Sequence, residues 1–247
     1  MNNRQLAEEL RKALADTVDV VVQPVAKRRK MLFLADMDST MIAQECIDEL
    51  ADLVGLKQHV AAITERAMRG EIAFEPALRE RVGLLKGLPS GTVEKVIAER
   101  VTLTPGARTL VATMRANGAY ACLVSGGFTL FTGPIAKTIG FDENRANTLL
   151  IGSDGHFRGE VGEPILGREA KLATLTELRE KLRLSDFETL AVGDGANDLP
   201  MIQAAGLGVA YHAKPVVAEA AAARIDHGDL TALLYLQGYR REEFIEK

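Results

Sequence analysis

A parallel α/β sheet with a helical insertion and a small β-hairpin is the fold class this sequence predicts, on three observations. The apolar run Met31-Leu32-Phe33-Leu34-Ala35 ends on Asp36, as a buried strand does when its end opens toward a ligand. Four helical periodicities follow with only short breaks, near 44–54, 58–69, 73–86 and 91–100. Beyond Thr104-Pro105-Gly106, helix and strand patterns alternate, which is the signature of βαβ units on a parallel sheet. The organisation expected is an N-terminal extension over 1–30, a core over 31–43 and 104–247, and a helical cap over 44–103 that excludes water from the first strand's end.

Taken in order, Leu6, Leu10 and Leu14 recur at four-residue spacing among Arg, Glu and Lys, so 3–15 read as an amphipathic helix. Residues 18–22 are valine-rich and read as a short strand. Pro24 and the basic run Lys27-Arg28-Arg29-Lys30 connect this extension to the first core strand. In the second half, helices are expected near 107–117 and 129–139, with strands at 120–124 and 189–192. Leu149 to Ile151 and Phe157 to Val161 flank Ser153-Asp154-Gly155, and an Asp-Gly pair suits the positive backbone angles of a hairpin turn. A helical pattern covers 172–182, another begins near Leu199, and the alanine run 220–223 reads as helix.

The chain has 247 residues, 47% hydrophobic and 26% charged, enough for a sizeable core. Lys+Arg 30 against Asp+Glu 34 leaves a formal charge of -4, so no global basic field favours nucleic acid or an anionic membrane, and an anionic substrate must meet local positive groups. Two cysteines, Cys46 and Cys122, make no secreted disulfide framework. The N-terminus opens on a charged helical pattern, and no apolar run approaches membrane-spanning length. A cytoplasmic monomer or homodimer is the expectation.

Four segment ends carry chemistry. Asp36-Met37-Asp38-Ser39-Thr40 sets two carboxylates one residue apart at a strand end, where such a pair can hold a cation, attack an electrophile and move a proton. Ser125-Gly126-Gly127 offers a hydroxyl and unshielded backbone N–H groups to a phosphate. Gly193-Asp194-Gly195-Ala196-Asn197-Asp198 supplies hard oxygen ligands suited to Mg2+. Lys171 brings a positive charge to the start of a helix. Each alone also reads as a turn, a helix cap or a surface lysine, whereas their joint occurrence points to one phosphoryl-transfer site.

These four segments resemble the motifs of the haloacid dehalogenase superfamily over roughly residues 31–215, which implies a Rossmann-like three-layer α/β/α core. Within it, Asp36 to Ile42 running on to Glu45, the stretch 74–89 with Leu-Leu-Lys-Gly-Leu-Pro, Val124 to Phe128 and Gly193 to Asp198 are similar to the phosphoserine phosphatases. The resemblance implies Asp36 as nucleophile, Asp38 as acid and base, and Ser125, Gly126, Lys171 and Asn197 around the phosphate. It further implies Glu45, Met68, Phe74 and Arg81 around the serine part of O-phosphoserine, and Mg2+ on Asp36, Asp38 and Asp194 with Asp198 behind them. The activity implied is the last step of serine biosynthesis, by way of an aspartyl-phosphate.

The cap residues carry a check of their own. Phe74 and Arg81 are seven apart and fall almost on one helix face with Leu78, so a charge points into an apolar stripe. A guanidinium forks onto a carboxylate and a carboxylate attracts an ammonium, so Arg81 and Glu45 suit the two ends of an amino acid. Cys46 reads as a packed thiol, and the scattered His59, His156, His212 and His227 give no zinc spacing. Two alternatives stay open at this level. One is a phosphatase or phosphotransferase acting on another small ester; the other is a phospho-acceptor signalling module, which would need neither a leaving-group acid nor a lid.

Overall fold

The computed structural model describes residues 3–69 and 71–246, the side chain of Met68 excepted. Strands β1 (Leu32–Ala35), β2 (Tyr120–Phe128), β3 (Glu143–Asn147), β6 (Thr189–Gly193), β7 (Leu207–Tyr211) and β8 (Ala223–Ile225) form one parallel sheet in the order β3-β2-β1-β6-β7-β8. A separate antiparallel hairpin pairs β4 (Leu149–Ile151) with β5 (Phe157–Val161), where the Asp-Gly turn placed it. Gly155 adopts φ +79°, the positive angle that turn requires.

Successive strand residues alternate between two helical layers. Phe33, Leu123 and Val192 pack with Leu110 and Met114 of α6 (Ala107–Ala116), Phe131 of α7 (Thr129–Ile139) and Leu233 of α11 (Ala232–Leu236). Leu32, Leu34, Cys122 and Ala191 face Leu175 and Leu178 of α8 (Arg168–Lys181) and Met201 of α9 (Leu199–Ala204). This is why the central strands read as continuous apolar runs: both faces are covered. Leu32, Phe33 and Leu34 are fully buried, and burial of such side chains contributes about 1.5–3 kcal/mol each.

Between β1 and α6 the chain makes four helices, α2 (Cys46–Asp52), α3 (Lys57–Met68), α4 (Phe74–Gly83) and α5 (Thr92–Glu99). The two strands of chain that lead in and out are clasped together. Ile42 and Leu103 form an antiparallel bridge, Ala43 N–H donates to the Thr102 carbonyl at 3.0 Å, and Thr104 N–H to that of Met41 at 3.0 Å. The hairpin grips the insertion from the other side. Gly87 N–H meets the Phe157 carbonyl, Phe157 N–H the Leu88 carbonyl and Ser90 N–H the Gly155 carbonyl, each at 2.9 Å.

Several expectations are corrected. Residues 18–22 form no strand: Asp19 accepts from the N–H groups of Asp226 and Gly228 at 2.7 Å, and Arg11 donates to the Val20 carbonyl at 2.8 Å, so side chains take up the hydrogen bonding a ladder would have used. The alanine run 220–223 is not one helix, because α10 (Pro215–Ala220) ends and β8 begins within it. In α1 (Asn3–Ala13) the leucine stripe does not dock; Ala7 and Arg11 are buried, while Leu6 is 39% and Leu10 41% exposed. Three core strands, β3, β7 and β8, lacked a legible signal: β3 is a polar edge strand, Glu-Asn-Arg-Ala-Asn, β7 carries a glycine as its second residue in Leu-Gly-Val-Ala-Tyr, and β8 has three residues. No described helix is long and apolar enough to cross a membrane.

Helix α9 lies so close on β7 that a β-carbon at Gly208 would stand 1.9 Å from the Ile202 carbonyl oxygen. Gly208→Ala is therefore expected to lower stability by about 2–3 kcal/mol in urea unfolding. An unchanged midpoint would contradict this packing.

Candidate active site

The three neighbouring strands β2, β1 and β6 deliver Ser125, Asp36 and Asp194 side by side at the sheet's edge. Parallel pairing aligns their ends, Ala35 beside Leu123 and Val192. The sheet order reverses at β1, where the chain first builds toward β3 and then returns to β6, and such a crevice is where parallel sheets take ligands. After β1 the backbone turns sharply: Asp36 and Asp38 are extended, and Ser39 takes the left-handed φ of 54°. That turn aims Asp38 back over the crevice.

Lys171, on the first turn of α8, is fully buried beneath this edge. Its Nζ lies 2.8 Å from Asp36 Oδ1 and 2.7 Å from Asp198 Oδ1. Burial alone would discharge the ammonium, yet the Asp198 and Asp36 carboxylates overcome that and hold its pKa above the ordinary lysine value. Burial pushes Asp36 up to about 7, with the Asp198 charge adding to it and Lys171 opposing. Burial, with the charges of Asp198 and Asp36, likewise raises Asp194 well above the usual carboxylate range.

Carboxylate oxygens of Asp36, Asp194 and Asp198 lie within 4.8 Å of one another, all buried. Three hard oxygen donors on one spot, too few positive charges beside them, fit a divalent cation. Their other contacts distinguish them. Asp198 is occupied at both oxygens, by Lys171 at Oδ1 and the Gly195 N–H at Oδ2, 3.1 Å. Asp36 is engaged at Oδ1, by Lys171 and the Met37 N–H, and Asp194 at Oδ1, by the Thr40 hydroxyl at 3.1 Å. Asp36 and Asp194 thus each keep an oxygen that no described residue engages.

Above this cluster a cavity of about 280 Å³ is lined by Asp36, Asp38, Glu45, Phe74, Arg81, Ser125, Gly126 and Asn197 among others. Asp38 and Glu45 show part of their surface to the cavity but sit deep below the molecular surface. Burial, then the neighbouring Asp36 charge, pushes Asp38 up to about 7; burial and the Asp38 charge push Glu45 up to about 8. Asp38 Oδ1 accepts the Cys46 N–H at 3.1 Å, and Glu45 accepts the Ser39 hydroxyl at 2.6 Å. Buried Arg81 keeps a pKa below the usual arginine range through desolvation, countered by Glu45 and Asp48. The cavity is therefore lined by both a carboxyl and a guanidinium group.

Glycines hold its floor open. A β-carbon on Gly127 would come within 3.0 Å of both Asp38 Oδ2 and Ser125 Oγ, and one on Gly126 within 2.9 Å of the Phe74 ring. Phe74, which begins α4, thereby closes the insertion onto the sheet. Of the residues expected at the site, Lys171, Asp194 and Asp198 lie beneath the cavity rather than on its wall, and the Met68 side chain lies outside the described residues.

Reading the sequence missed Asn147, which ends β3. Its buried side chain donates to the Gly126 carbonyl at 2.8 Å and accepts the Leu166 N–H at 2.6 Å, tying the Ser125 loop to the approach of α8. No signal marks it in the sequence, because β3 is a polar edge strand in which an asparagine does not stand out. Thr40, Thr64 and Arg168 were missed too, being ordinary polar residues until the fold brings them to the site.

Comparison with known proteins agrees with this geometry. The profile of the haloacid dehalogenase-like hydrolases matches residues 33–203. A phosphoserine phosphatase of Streptomyces coelicolor is 45% identical over 231 residues, 94% of this chain and 56% of that protein. One from a Polaromonas species is 48% identical over 210 residues, 83% of this chain and 89% of that protein. Among solved structures, a phospho-aspartyl intermediate analogue of a phosphoserine phosphatase superposes with TM-score 0.79 at 40% identity, covering 84% of this chain and 98% of that one. A HAD family hydrolase from Salmonella enterica serovar Typhi gives TM-score 0.85 at 35% identity, covering 94% and 79%.

Asp36, Asp38 and Glu45 bind protons more tightly folded, at about 7, 7 and 8, than at their ordinary values of 3.8, 3.8 and 4.5. The folded state then carries more protons than the unfolded one across that window, and its stability falls as pH rises. The melting temperature of metal-stripped protein is expected to drop between about pH 5 and about pH 8, and a divalent cation to restore it at the upper end. A melting temperature that climbs across the window without metal would contradict these shifts.

Proposed function

The chain belongs to the haloacid dehalogenase-like hydrolases, and on that footing we propose that it is a Mg2+-dependent phosphatase converting O-phosphoserine to serine and phosphate, the closing step of serine biosynthesis. The observation that carries this reading is the cavity wall: Glu45 and Arg81, a carboxyl and a guanidinium, line the same space of about 280 Å³ as the Asp36–Asp38 pair. A phosphate directed at Asp36 leaves the carboxylate of a serine to meet Arg81 and its ammonium to meet Glu45, where the arriving positive charge opposes the burial that raises the Glu45 pKa and favours its carboxylate form. The names of the relatives from Streptomyces coelicolor and a Polaromonas species support the same substrate.

In this reading the phosphate lies against the Ser125 hydroxyl and the N–H groups of the glycine turn, with Asn197 beside it. Asp36 attacks phosphorus in line with the serine oxygen, forming an aspartyl-phosphate as the P–O bond to serine breaks. Asp38, with a pKa of about 7 in the surroundings described, is protonated in a large fraction of molecules near neutrality and can give its proton to the departing alkoxide. The resulting carboxylate takes a proton from the water that cleaves the aspartyl-phosphate and returns Asp36. Such positioned proton transfer contributes about 10²–10⁴-fold. Mg2+, held by Asp36, Asp194 and the Asp38 carbonyl with Asp198 behind, would offset the phosphate charge. Lys171 opposes the effect of burial on Asp36, favouring its ionised form, and holds the carboxylate from below.

Residues 44–103 act as a cap in this account, opening for substrate and closing Phe74 onto Gly126 to exclude water. The acid beside the leaving group and this lid favour turnover over a phospho-acceptor that accumulates its phosphate.

The experiment is Mg2+-dependent phosphate release from L-phosphoserine, phosphothreonine, a sugar phosphate and p-nitrophenyl phosphate, with Asp36→Asn alongside. Phosphoserine is expected to be hydrolysed best, and the folded Asn variant to lose at least about 10³-fold in kcat. Hydrolysis of the other esters alone would overturn the serine pocket, and normal turnover by Asp36→Asn would overturn the nucleophile.

A further inference from the structure

We propose that Thr64, backed by Asp48, is the residue that positions Arg81 for the substrate's carboxylate, so that selectivity for an amino-acid ester is set by a hydrogen-bonded relay across three helices of the insertion. This rests on the reading of Arg81 as the carboxylate clamp. The geometry comes from α2, α3 and α4, which supply one residue each. Arg81 Nη1 donates to Thr64 Oγ1 at 2.9 Å, and Thr64 Oγ1 donates to Asp48 Oδ1 at 2.8 Å. Arg81 Nε donates back to the Ala77 carbonyl at 3.0 Å. All three side chains are almost wholly buried: Thr64 is 3%, Arg81 5% and Asp48 9% exposed.

The proton count gives the relay its direction. Arginine only donates, so the Thr64 oxygen must accept from it. The single Thr64 proton is then left for an acceptor, and two are in reach, Asp48 Oδ1 at 2.8 Å and the Val60 carbonyl at 3.0 Å. A carboxylate is the stronger acceptor, so the charge-assisted bond to Asp48 prevails over the helical one. Arginine has five N–H donors. Among the described residues two of them are engaged, at Nε and Nη1, which leaves the outer edge of the guanidinium for the cavity that Arg81 and Thr64 both line.

A free arginine side chain must give up its rotamer freedom when it grips a ligand, which weakens binding. The relay removes that freedom beforehand, since the plane of the guanidinium is set at two of its nitrogens. Against the burial that lowers the Arg81 pKa, Glu45 is the larger countercharge and Asp48, which does not line the cavity, adds a second. Thr64 and Asp48 touch neither Asp36 nor Asp38, so their effect belongs to the recognition of the carboxylate and not to phosphoryl transfer.

The test compares O-phosphoserine with O-phosphoethanolamine, which keeps the phosphate and the ammonium and lacks the carboxylate. Thr64→Val, which keeps the shape and removes the hydroxyl, is expected to lower the ratio of kcat/KM for phosphoserine over phosphoethanolamine by about tenfold. The loss should fall on KM for phosphoserine, and Thr64→Ser should restore the ratio to within about twofold. An equal loss on both substrates, or an unchanged ratio in folded Thr64→Val, would overturn the relay. Should Thr64→Val not fold, Asp48→Asn is read in its place: a lowered ratio supports the relay and an unchanged one overturns it. Arg81→Ala separates the two levels. If it leaves the ratio unchanged, the carboxylate clamp itself fails; if it collapses the ratio while Thr64→Val does not, only the relay fails.

Discussion

The rest of the structure depends on one buried charge. Lys171 has no exposed surface, and an ammonium removed from water costs several kcal/mol unless carboxylates surround it. It finds two, Asp36 from β1 and Asp198 from the turn after β6, and so pins the start of α8 beneath the adjacent strand ends. The backbone yields to this arrangement. A β-carbon at Gly193 would lie 2.4 Å from the Asp198 carboxyl carbon, so no side chain is admitted where Asp198 folds back. Asn147 performs the matching service on the far side, joining the Ser125 loop to the segment that leads into α8. The chemical groups are rigid because the elements that bear them are locked to one another.

Above this fixed floor the insertion is held by contacts of a different kind. Its entry and exit are clasped by the Ile42–Leu103 bridge, a short two-stranded joint. Some of its contacts with the core are exposed ion pairs, such as Lys214 to Glu65 at 3.1 Å and Arg79 to Glu163, which contribute about 0–1 kcal/mol each, while the apolar cluster around Phe128 and Phe131 runs on into Ile47, Leu78 and Val96 of the insertion. The β4–β5 hairpin, bonded through its backbone to residues 87–90, belongs mechanically with the insertion although it lies far along the chain. A buried floor and a roof joined to it by a short two-stranded joint suit a site that must both organise charge and admit a substrate.

Much of this was legible in the sequence because polar residues interrupt apolar runs at the strand ends. Asp36 after 31–35 and Asp194 after 189–192 follow that rule, Ser125 lies inside β2 where its register with β3 breaks after Val124, and the parallel sheet is what brings them together. Lys171 by itself looked like a surface lysine, because nothing local tells a solvated lysine from one roofed by a sheet. Thr64 and Asp48 were illegible for the same reason: the residues they bond stand sixteen and seventeen positions away, and only the packing of α2, α3 and α4 makes them neighbours. Periodicity misled where side chains replaced the ladder, at 18–22, and where the docked face of α1 was the Ala7–Arg11 side rather than its leucines.

Central to the account is that Asp36, steered by the buried Lys171, carries the phosphoryl group. The most direct measurement is to mix the protein with Mg2+ and L-phosphoserine, quench in acid within the first turnover, and locate the phosphate by peptide mass spectrometry. Phosphate on Asp36 that appears and decays during turnover is the result predicted. Phosphate on Asp38 or Ser125, or turnover with no phosphorylated peptide at any time, would contradict it.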